Sequence, residues 1–72
     1  MDEDRRELGR RLCVLATEIA ETVHDVAVAG QVPSATAKGL QSAATRLSEC
    51  GNALKATADV LGILARHIED GK

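Results

Sequence analysis

The sequence predicts an all-α protein: an antiparallel two-helix hairpin that dimerises into a four-helix bundle. Three observations carry this. Leu40, Leu47, Leu54, Leu61 and Ile68 recur at every seventh residue, with small residues such as Ala43, Cys50, Gly51 and Ala58 three and four places after them. Seven residues is close to two helical turns, so these positions form one seam along a helix. Leu8, Leu12, Leu15, Ile19, Val23 and Val26 recur at spacings of three and four, the pattern of an amphipathic helix. Between the two runs lies the only clear break, Ala29-Gly30-Gln31-Val32-Pro33-Ser34.

The expected organisation is a single helical-hairpin domain over residues 1–72, with helix one at about 2–29, a turn at about 30–34 and helix two at about 35–69. Acidic residues Asp2, Glu3 and Asp4 stand where the helix dipole favours negative charge. Asp2–Arg6 and Glu7–Arg11 have the i,i+4 spacing of ion pairs. Arg5 and Thr22 take seam positions and weaken the seam toward the N-terminus. Gly30 suits a left-handed residue just past a helix end. Ser34 is the expected N-cap of helix two, and Gly71 its stop. Gly39, Gly51 and Gly62 each cost roughly 1 kcal/mol relative to Ala in a helix interior. Gly9, Cys13, Ala16, Ala20 and Ala27 form a small-residue edge on helix one, matching Ala44, Gly51, Ala58, Gly62 and Ala65 on helix two. Close approach of backbones along these edges would account for the glycines.

Composition narrows the function. The chain has 72 residues and no Phe, Tyr or Trp, so apart from Met1 its bulky apolar side chains are Leu, Ile and Val. A chain this small and thin in large side chains generally needs a staple or a partner. The expected partner is a second copy, with another helical protein as the alternative. A net charge of −2 argues against a general nucleic-acid binder. The polar, acidic beginning does not read as a secretory signal, and no apolar run approaches a membrane span. A cytoplasmic location, without membrane attachment, is therefore expected, and reduced cysteines with it.

A turn between residues 29 and 34 makes facing residues sum to about 63 in an antiparallel hairpin. Leu47 and Leu54 would then face Leu8, Leu12 and Leu15, and Cys13 would lie level with Cys50. Leu61 would stand opposite Asp2, leaving Leu64, Ala65 and Ile68 beyond the end of helix one. Val60, Leu61, Ile63, Leu64 and Ile68 are accordingly the expected oligomer interface. Ala53, Ala56, Val60 and Ile63 widen the apolar surface there, and soluble monomers avoid such patches.

Other constellations are weaker. Arg5, Arg6, Arg10 and Arg11 are the densest basic cluster, and they make a small nucleic-acid-binding regulator the second functional reading. Stacking on aromatic side chains is impossible, and no basic region precedes the leucine heptad. Glu21-Thr22-Val23-His24 has the Glu-x-x-His spacing of di-iron bundles, which makes a metal-binding bundle a third reading. Glu21 and His24 point away from the Leu/Ile seam, and helix two offers Lys38 and Gln41 rather than an acid at that level. No Cys-x-x-Cys, phosphate-cradling loop or nucleophile with a neighbouring base is present, so no catalytic residue, metal ligand or cofactor is expected. The architecture resembles that of small dimeric helical-hairpin regulators of plasmid RNA, through the helical pattern alone. The leading reading is a non-enzymatic homo-oligomeric interaction or scaffold protein.

Overall fold

The computed structural model describes residues 2–70, which form two α-helices and the segment joining them: α1 is Asp2–Ala29 and α2 is Ala37–Asp70. The described residues contain no strand. The helices pack against each other in one layer, 56 × 15 × 11 Å. The Asp2 side chain, one half of the expected Asp2–Arg6 pair, and Gly71 lie outside the described residues.

The connection differs from the expected one at both of its ends. The helix α1 closes with Gly30 N–H donating to Val26 O at 3.2 Å and Gln31 N–H to Val28 O at 3.1 Å. The second bond is the tighter i→i+3 type, which satisfies a terminal carbonyl without a left-handed residue. No described glycine has a positive φ, so Gly30 does not serve as a left-handed cap. Beyond it, Ala35 N–H donates to Val32 O at 3.1 Å, closing a turn with Pro33 at its first central position. The fixed φ of proline suits that position. Ser34 lies inside this turn, and helix two therefore starts later than expected.

Thr36, not Ser34, caps α2. Its Oγ1 accepts from Gly39 N–H at 3.0 Å, and its carbonyl accepts the first helical bond from Leu40 N–H at 2.9 Å. A methyl on Gly39 would stand only 3.2 Å from that hydroxyl oxygen, which gives this glycine a local reason. Thr36→Ala should lower stability by about 1 kcal/mol, the usual loss for a cap. Ser34→Ala should leave the urea midpoint nearly unchanged. Equal losses from the two variants would reject the cap assignment.

The register also departs from expectation. A methyl built on Gly9 would lie 3.4 Å from Leu64 Cδ2, and Arg5 Nη1 donates to His67 O at 3.1 Å. Facing residues thus sum to about 72, as adjacent antiparallel helices with 1.5 Å rise per residue require from these two contacts. Leu61, Leu64 and Ile68 are partly buried against α1 rather than overhanging it. The unmatched length lies at the other end, where the first turns of α2 run past Ala29. Arg5 acquires a role from this: its guanidinium caps a carbonyl in the last turn of α2, where cations are favoured.

The inward stripe of α1 is Arg5, Gly9, Leu12, Ala16, Ile19, Val23 and Val26. It runs along the small-residue edge, so Leu8 and Leu15 do not face Leu47 and Leu54 but stand outside the seam. Volume explains the choice. Small residues are interspersed with large ones over much of both stripes, and Leu64 lies against Gly9. On α2 the seam is Ala43, Leu47, Cys50, Leu54, Thr57, Leu61, Leu64 and Ile68, close to the heptad expected, with Leu40 left 49 % exposed. Thr57 is accommodated because its hydroxyl donates to Ala53 O at 2.8 Å.

Candidate assembly surface

One layer of two helices can cover only one stripe on each. Among the described residues only Val26 and Thr57 are buried, and no side chain is fully enclosed. Most of the other apolar residues fall on two flanks of the seam, while Val14 and Val28 stand on the outer side of α1.

The first flank carries Leu8 and Leu15 from α1 with Val60 and Ile63 from α2, exposed by 47, 44, 45 and 47 %. At the observed register Val60 and Ile63 stand between the levels of Leu8 and Leu15, so the four make one aliphatic patch across both helices. Exposed Ala53 and Ala56 extend it toward the turn. Of the five interface residues expected from sequence, Val60 and Ile63 belong to this patch, while Leu61, Leu64 and Ile68 line the hairpin seam. Leu8 and Leu15 were missed as surface residues. The signal was present: Gly9, Ala16 and Val23 recur at the same spacing one residue later, and small residues opposite leucines favour that phase.

The opposite flank is made of small exposed residues: Cys13, Ala20 and Ala27 on α1, and Ala44, Gly51, Ala58 and Ala65 on α2. Near the chain termini it opens into a shallow groove whose floor is Leu61, Leu64 and Ile68, with Arg6 and Arg10 on its α1 side. Of the glycines assigned to backbone approach, Gly9 does lie against the other helix. Methyls on Gly51 and Gly62 would meet nothing within 4 Å.

The four arginines do not converge on one outward face. Arg10 donates from Nε and Nη2 to Glu7 at 2.9 and 2.7 Å, and Arg11 Nε donates to the same carboxylate at 3.0 Å. Hydrogen bonds from Arg10 and then Arg11 lower the Glu7 pKa to about 2, well below the ordinary carboxylate value. The same bond raises the pKa of Arg10. With Arg5 committed to His67 O, three of the four use donors within the hairpin.

Cys13 is exposed and Cys50 is partly buried in the seam. The register sets them about nine residues apart in level, roughly 14 Å at 1.5 Å per residue. That exceeds the Cα separation of about 7 Å that a disulfide tolerates. They do not share a level, contrary to expectation, and no intrachain bridge fits this hairpin. Glu21 and His24 are exposed, and His24 Nδ1 lies 3.7 Å from Asp25 Oδ1. Among the described residues no three His, Cys, Asp or Glu side chains gather as a metal site would require. No described helix is long and apolar enough to cross a membrane.

Fold and surface together define a two-helix hairpin with a single shared seam and an uncovered aliphatic flank. Compared with known proteins, the chain matches no family model, no curated protein and no solved structure.

Proposed function

We propose that this protein is a non-enzymatic interaction or scaffold protein that works as a homo-oligomeric helical bundle, a homodimer being the simplest form. One observation carries the reading. In a chain that is 44 % hydrophobic, Val26 and Thr57 are the only described residues buried by the hairpin itself. Hydrophobic burial supplies the main favourable term in folding, and a layer two helices wide leaves most of it unused. Packing a second hairpin against the first would put large aliphatic side chains between four helices rather than two, the arrangement of a four-helix bundle.

The alternative, a nucleic-acid-binding regulator acting through Arg5, Arg6, Arg10 and Arg11, has less support, because Glu7 neutralises part of the cluster and Arg5 is held by His67 O. A metal-binding bundle has less still, with Glu21 and His24 on the exposed side of α1.

Light scattering with refractive-index detection, needed because the chain lacks Trp and Tyr, measures the assembled mass. At micromolar concentration the expected mass is twice that of the 7.6 kDa chain or a higher multiple. A monomer that is helical and cooperatively folded would overturn the reading. Binding to RNA or DNA at low salt, weakening as salt rises, would move the assignment to the regulator.

A further inference from the structure

We propose that the second copy seats on the flank formed by Leu8, Leu15, Val60 and Ile63, and that the opposite flank, bearing Cys13, stays open to solvent in the assembled protein. This rests on the homo-oligomer reading above and specifies its interface.

Area is the first argument. A compact folded monomer of this mass exposes about 4300 Å² by the usual scaling of surface with mass. The hairpin exposes 5574 Å². The excess, about 1300 Å², exceeds the roughly 800 Å² per partner that a standard stable interface buries. Pairing with one copy of the same chain at a standard interface would remove more than half of that excess.

Side-chain size and charge choose the flank. In a two-fold dimer the same patch meets itself. On the Leu8 flank that sets branched aliphatic side chains against one another over the half of the hairpin near the chain termini. The bordering charges carry both signs, with Arg11 already bonded to Glu7 and Glu18 beyond. On the Cys13 flank the exposed side chains are mostly methyls and hydrogens, which offer little area to remove from water. Arg6 and the Glu7-bonded Arg10 also border that flank near the chain termini, so self-pairing there would take charged groups out of water for little apolar gain. The Leu8 flank thus offers the larger aliphatic area to bury.

Cys13 serves as a reporter because it lies across the seam from Leu8 and Leu15. The protein is prepared as Cys50→Ala, leaving one thiol, and treated with a maleimide in native buffer while mass is followed by light scattering. The expected result is labelling of Cys13 at close to the rate of the urea-unfolded chain, with the oligomer mass retained after labelling. Leu15→Asp should halve the mass of a dimer. Should that variant fail to fold, Leu15→Ala with Val60→Ala should raise the concentration at which half the protein is dissociated. An oligomer whose Cys13 is protected from the reagent, or whose mass and dissociation ignore both sets of substitutions, would overturn this interface while leaving the homo-oligomer reading in place. A wild-type monomer would instead remove the reading itself.

Discussion

Leu54→Ala is expected to remove about 2 kcal/mol or more, the lower part of the range for large-to-small changes in a core. Leu54 is partly buried in the α2 seam, and the observed register sets it level with Ile19, midway along the hairpin. Truncation there would leave a gap between helices that have few other large contacts. A chain of this length has about 4–11 kcal/mol of stability at 0.05–0.15 kcal/mol per residue, and so thin a core places it low in that range. Urea titration followed by far-UV circular dichroism should show the midpoint falling by a third or more. Leu40→Ala is the control, since Leu40 is 49 % exposed despite sharing the heptad, and its midpoint should scarcely move. Protein concentration must be held constant between variants, because assembly makes apparent stability concentration-dependent. A loss below 1 kcal/mol for Leu54→Ala would reject the seam assignment.

The second large effect has the opposite sign. Gly51 and Gly62 lie within α2, and a methyl at either position would meet nothing within 4 Å. Glycine in a helix interior is less favourable than alanine by about 1 kcal/mol. Gly51→Ala combined with Gly62→Ala should therefore stabilise the protein by roughly 2 kcal/mol, seen as a higher urea midpoint with unchanged helical signal. Assembly mass should also be unchanged, because these glycines do not lie on the Leu8 flank. A stabilised but dissociated double variant would show that a partner approaches the glycine edge after all. Gly9→Ala offers the contrast. Its methyl would come to 3.4 Å of Leu64 Cδ2, so it would add a contact with the other helix where methyls on Gly51 and Gly62 would not.

How much was legible in the chain depends on the kind of information each feature needs. The helices were legible because their signal is local and repeated: the heptad from Leu40 to Ile68 and the three-four spacing from Leu8 to Val26 each name a helix without reference to the other. The break was legible in position, since Gly30 and Pro33 interrupt both patterns. The cap was not, because Ser34 and Thr36 carry equivalent hydroxyls and the choice turns on the bond from Ala35 N–H to Val32 O. On the assembly side, the widening of apolar surface at Val60 and Ile63 was legible in α2. Its counterpart on α1 was hidden, because Leu8 and Leu15 satisfy the helical period as well as Gly9 and Ala16 do.

The sequence by itself determined two helices, an antiparallel hairpin and a core too thin for its apolar content, all of which follow from periodicity, one break and the absence of aromatic residues. Tertiary structure decided the register and the rotation of α1. A seven-residue repeat looks the same after sliding by one repeat, so periodicity cannot say which leucine meets which residue of the other helix. Packing can: Leu64 lies against Gly9, and Arg5 reaches the carbonyl of His67. Once those contacts form, Leu12, Ile19 and Val26 turn inward, while Leu8 and Leu15 turn outward beside Val60 and Ile63.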